Sequence, residues 1–202
     1  MPTLEDPPQH LLGGLNVAIL AGAGADLAQL DAARTSLETL GVTVLVVGLR
    51  RGPVPAAGPT PLEASQGIAT VDPASLDGLL VLAGSAGAQQ LAAAAEVKAL
   101  LAALDAEGKP IGALGDGVLP LLTAGLAQAR GVSTPDHLAP VAQRTGAVRE
   151  GGGLAADGNV VSAASPAALD EFNAALKQLL ARRRLATVSP GNDTPSAVGE
   201  DG

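Results

Sequence analysis

The chain has 202 residues, 47% of them hydrophobic, and its 20 acidic and 12 basic side chains give a formal net charge of −8. It contains no cysteine, which excludes disulfides, thiolate metal sites and thiol catalysis. The acidity and the single aromatic residue, Phe172, argue against nucleic-acid binding, which draws on cationic surface and on stacking platforms.

Residues 1–13 begin MPTLEDPPQH, without the basic and apolar stretches of a secretory signal, and read as a flexible leader. No run approaches the ~18 apolar residues of a membrane span, so a cytoplasmic protein without membrane contact is expected. LNVAIL (15–20) is a short β-rich run that stops at AGAGA. From Asp26 to Leu40, Leu27, Leu30, Ala33, Leu37 and Leu40 fall at helical spacing, and Gly41 supplies the stop. VTVLVVG (42–48) and LDGLLVLAG (76–84) are near-continuous apolar runs, as expected of strands covered on both faces. Between them, residues 50–72 carry Pro53, Pro55, Pro59 and Pro61 and fit no single element, so a small hairpin or an irregular excursion is expected.

A helix is predicted over 89–106, ending at Gly108, then a strand over KPIGALG (109–115) and a helix over 118–124. A late strand, NVVSAA (159–164), leads to a last helix that opens at Ser165 with Pro166 in first position and ends near Arg183. Residues 186–202 have the composition of a disordered tail, leaving one folded domain over 14–185. Strands alternating with helices predict an α/β domain, a doubly wound parallel sheet of flavodoxin-like order. Ligands in such sheets bind beyond the carboxyl ends of the strands, at AGAGAD, AGSAG and GDG here.

Gly22 and Gly24 open a G-x-G pattern, but Leu27 stands where a dinucleotide fingerprint has its third glycine. No acid closes the second strand; Arg50 and Arg51 stand there instead and could meet a 2′-phosphate, which leaves an NADP-binding alternative. The plainer account is that the glycines make the turn. Gly108-Lys109 runs into Pro110 and a strand, which excludes a Walker-type phosphate loop, and Ser85 directly follows Gly84, which does not match G-x-S-x-G. The two histidines are His10 in the leader and His137, which follows Ser133, Thr134 and Asp136. Those three residues read as N-cap chemistry and His137 as an exposed first-turn residue, with no metal site implied. Arg182, Arg183 and Arg184 are expected at the end of the last helix, complementing its dipole.

The segment GKPIGALGDGVLPLLTAGLAQARGVST (108–134) resembles the central motif of the PfpI family, in the class I glutamine amidotransferase-like superfamily, which reads roughly GKPIAAICHG. The segments 15–48, 71–91 and 145–176 are similar to other stretches of that family in the same order, so that the resemblance spans about Leu15 to Leu180. It implies the fold already inferred and a homodimer. It also implies that the catalytic pattern is degenerate. Gly115 stands where the family has its nucleophilic cysteine, and Asp116 replaces the adjacent histidine. Asp26 stands for the supporting glutamate, and Leu82, Ala83 and Gly84 replace the PGG of the oxyanion turn. A GDG turn after KPI is also similar to the C-terminal domain of large-subunit catalases, which lacks the cysteine. The resemblance implies a non-catalytic, stress-associated or structural binding protein with no cofactor. The alternative is an enzyme with altered acid/base chemistry at Asp26 and Asp116, two carboxylates that could share a proton or hold a hard cation. The simpler reading of that pair is that Asp116 caps the helix from Val118 and Asp26 sits in the first turn of its own helix.

Overall fold

A computed structural model describes residue 7 and residues 9–188. Helix α1 (Gln9–Leu12) precedes β1 (Asn16–Ala21), α2 (Leu27–Glu38) and β2 (Thr43–Gly48). The proline-rich excursion holds a hairpin, β3 (Gly52–Val54) and β4 (Leu62–Ala64), and the short β5 (Gln66–Gly67). Then come β6 (Gly78–Leu82), α3 (Ser85–Ala93), α4 (Ala95–Ala106), β7 (Ile111–Leu114) and α5 (Val118–Thr123). The last third contains β8 (Gly131–Val132), α6 (Ala139–Arg144), β9 (Val148–Arg149), β10 (Leu154–Asp157), β11 (Val160–Ala163) and α7 (Leu169–Val188).

The main sheet has the order β10-β11-β7-β6-β1-β2-β5 and is parallel except for β10, which runs antiparallel to β11 at one edge. Its central strands β1, β6, β7 and β11 are buried on both faces, and the alternation of their side chains divides the core in two. Ala18, Leu20, Leu79, Val81, Ile111 and Ala113 face α3, α4 and α5. Val17, Ile19, Leu80, Leu82, Val161 and Ala163 face α2 and α7. Phe172 of α7 is fully buried, and its Cζ lies 2.8 Å from where a Cβ on Gly112 of β7 would stand. A central strand that lacks a side chain at this point makes the room for the one aromatic ring.

Several expectations are corrected. The helix predicted over 89–106 is two helices, because Ala94 is extended (φ −75°, ψ 126°) and breaks the run. No glycine or proline marks that break. α3 packs against α5 while α4 lies along the sheet with Val97, Leu100, Leu101 and Leu104 buried, so tertiary packing overrides a continuous helical sequence. The leader is not loose throughout: α1 packs near α7, and Leu12 is completely buried. α7 continues to Val188, past the expected boundary at 185, so the arginines at 182–184 lie inside it and its last turn carries no basic residue. His10's side chain and residues 189–202 of the tail lie outside what is described. No helix among the described residues is long and apolar enough to cross a membrane.

Truncating Phe172 to alanine leaves a cavity against Gly112 and should destabilise the fold by about 3–5 kcal/mol, a loss readable in urea unfolding. A cost below about 1 kcal/mol would show that this contact is not central to the core.

Candidate active-site cleft at the β7 turn

The parallel register lines up the carboxyl ends of four strands. Ala21 of β1 pairs with Leu82 of β6, Leu82 with Leu114 of β7, and Leu114 with Ala163 of β11. The residues that follow emerge together and wall a cleft of about 410 Å³. Asp26, Ala83, Gly84, Gly115 and Asp116 all line it, so the tertiary structure brings the five expected pocket residues to one place. His137 lines it too.

Gly115 leaves β7 with φ +58°, in the left-handed region that L side chains rarely adopt. A Cβ built there meets nothing within 4 Å. The backbone therefore makes a sharp elbow whose side-chain space is vacant, and glycine adopts this conformation at little steric cost.

Asp26 is the N-cap of α2. Its Oδ1 accepts from the backbone N–H groups of Ala28 at 2.8 Å and Gln29 at 3.2 Å. That agrees with the local reading of this acid at the start of its helix. The companion reading fails for Asp116. It sits inside a 3-10 turn, Gly115–Gly117, and the N-cap of α5 is Gly117, with no side-chain cap bond. Asp116 instead turns to His137, whose Nε2 lies 2.6 Å from Asp116 Oδ1. An ionised carboxylate only accepts, so the imidazole donates through Nε2. The pair is partly open to solvent, with side-chain exposures of 58% for His137 and 21% for Asp116.

His137 is thus exposed, as expected, but it is not without a role in the cleft. It lies in a 3-10 turn, Asp136–Leu138, ahead of α6. The N-cap reading of its neighbours is also corrected. Ser133 N donates to the buried Ser162 Oγ at 2.9 Å and Ser133 Oγ to Gly152 O, while Asp136 pairs with Arg149. Thr134 Oγ1 is buried with no hydrogen-bond partner, directly before Pro135, which lines the cleft. Twenty-one residues separate Asp116 from His137, and no sequence spacing signals that contact. Among the described residues no three His, Asp or Glu side chains converge as metal ligands do.

The fold and the site define an α/β domain with a left-handed glycine turn at the end of its central strand β7, opening on a cleft. The chain belongs to the DJ-1/PfpI family, whose model matches residues 16–179. It is similar to a ThiJ/PfpI domain protein from Brachyspira murdochii, with a TM-score of 0.76 at 16% identity over 83% of this chain and 96% of that one. It is similar also to Drosophila melanogaster DJ-1beta, with a TM-score of 0.72 at 18% identity over 88% and 99%. A two-domain protein from Anabaena variabilis, with DJ-1/ThiJ/PfpI-like and ferritin-like domains, matches at a TM-score of 0.76 and 18% identity over 89% of this chain and 51% of that one. None of the curated proteins matches the chain.

Two substitutions separate the local roles of these residues. Asp26→Ala should cost about 1 kcal/mol through the lost cap, whereas Asp26→Asn should cost little, both measured by urea unfolding. Gly115→Ala should destabilise by about 1–2 kcal/mol despite the vacant space, because the cost lies in the backbone and not in a clash. A neutral Gly115→Ala would mean that the turn relaxes out of the left-handed region.

Proposed function

We propose that this protein is a non-catalytic member of its family, a binding protein that has kept the elbow cleft and given up the thiol. The carrying observation is Gly115: a left-handed turn at the end of a central strand, with nothing within 4 Å of the position its Cβ would take. No nucleophilic atom stands at the elbow, so no covalent acyl or hemithioacetal intermediate forms there. The cleft that remains has a volume in the range of small-molecule sites. A homodimer and a stress-associated or structural role in the cytoplasm are the setting that the family resemblance suggests.

The Asp116–His137 hydrogen bond favours a second reading, a hydrolase or lyase with altered acid/base chemistry. A carboxylate that holds an imidazole by one nitrogen orients it to take a proton through the other, from a water or a substrate hydroxyl. In this reading Asp116 works with His137, and Asp26, whose Oδ1 is engaged by α2, contributes charge to the cleft.

Steady-state assays against small aldehydes, amides and activated esters decide between the two. On the first reading the purified protein shows no turnover above the uncatalysed rate. Gly115→Cys with Asp116→His then introduces a thiol that iodoacetamide alkylates at neutral pH. Wild-type turnover that persists through repurification and is lost in His137→Ala would overturn the non-catalytic reading and establish the second.

A further inference from the structure

The first strand-to-helix turn has a second side. Gly24 and Asp26 face the elbow cleft, whereas Gly22 and Ala23 line a separate cleft of about 420 Å³ with Arg50 and Arg51. We propose that this second cleft binds a small phosphorylated polyol, its phosphate held by the two arginines.

Arg50 and Arg51 are the only charged residues of the lining, and no carboxylate stands opposite them. Among the described residues neither guanidinium takes part in an ion pair or a side-chain hydrogen bond. Two adjacent cations without a counter-charge suit a dianionic phosphate monoester, which guanidinium groups grip through paired N–H···O bonds. A single carboxylate would leave one of the two charges unmatched.

The backbone of the pair is firmly held. β5 pairs with β2 so that Gly67 lies beside Gly48. A Cβ on Gly67 would stand 3.1 Å from Arg51 N and 3.3 Å from Arg50 Cα. A side chain there would press on the arginine turn, which sits close against its neighbour. The facing wall is tied down as well. Gly24 N donates to Pro55 O at 2.7 Å, and Ala57 N donates to Ala25 O at 3.0 Å. These bonds fasten the β3–β4 hairpin to the turn between β1 and α2. A cleft built from fastened backbone loses little ordering entropy when a ligand enters.

The rest of the lining selects the organic part. Pro53, Val54 and Pro55 give a low aliphatic wall, and Gln90 from α3 offers an amide that can both donate to and accept from hydroxyl groups. No aromatic ring is present to stack a nucleobase. A sugar phosphate meets these surfaces better than a nucleotide. The site is distinct from the elbow cleft and does not depend on whether that cleft is catalytic.

Calorimetric titration of the full chain tests the proposal, with glucose 6-phosphate, glucose, inorganic phosphate and NADP⁺ as probes. Glucose 6-phosphate should bind and glucose should not. Arg50→Gln with Arg51→Gln should weaken binding by about tenfold or more. Arg182→Gln, an exposed arginine on α7, and Asp116→Asn in the other cleft should leave binding unchanged. No heat with glucose 6-phosphate, or equal affinity in the double arginine variant, would overturn the site. Inorganic phosphate binding as tightly as the sugar phosphate would overturn the polyol assignment, and tighter binding of NADP⁺ would replace it with a dinucleotide. All the substituted residues but Asp116 are exposed, and far-ultraviolet circular dichroism confirms that each variant is folded.

Discussion

Four parallel strands that end in one row are the constraint on which the chemistry of this protein depends. The hydrogen-bonded ladder sets Ala21, Leu82, Leu114 and Ala163 side by side, and whatever follows each strand must emerge at that level. The row holds because both faces of the sheet are buried in aliphatic side chains, so a slip of one residue would turn every buried group to the wrong face. The turn from β1, the 3-10 turn after β7 and the start of α3 are thereby forced together around the elbow cleft, and the second cleft opens on the other side of the β1 turn, against residues 49–55.

The turn at Gly115 shows how one residue type sets the cost of a backbone conformation. A side chain in the left-handed region normally costs energy, and an enzyme tolerates that cost to project a nucleophile. Glycine keeps the same φ without the cost, so nothing in the local energetics drives the turn to relax. Asp116 finds its partner across the cleft in His137, at a short 2.6 Å. The two clefts differ in character. The elbow cleft carries Asp26 and Asp116 with one imidazole, and its neighbour carries two arginines, with the turn at residues 22–26 as the partition between them.

Much of this was legible in the chain itself. The apolar runs at 15–20, 42–48, 76–84, 109–115 and 159–164 each fall on a strand of the main sheet, because a strand covered on both faces has no polar side to interrupt its pattern. The motif around GDG and its resemblance to the PfpI family pointed to Gly115, Asp116, Asp26, Ala83 and Gly84 as one site, and they do share one cleft. The antiparallel edge strand β10 and the short β8–β9 pair were not foreseen, since two to four residues carry too little periodicity to register.

By its sequence alone, this protein was bound to a thiol-free α/β domain with a glycine at the elbow. Composition, apolar periodicity and residue identity are properties of the chain and need no partner in space. The break at Ala94, the burial of Leu12 under α7 and the pairing of Asp116 with His137 were decided only by the tertiary structure. Each depends on which surfaces meet after folding. An alanine-rich run has no local reason to break, and an acid two residues before a helix has a cap within reach until a histidine twenty-one residues away is brought closer.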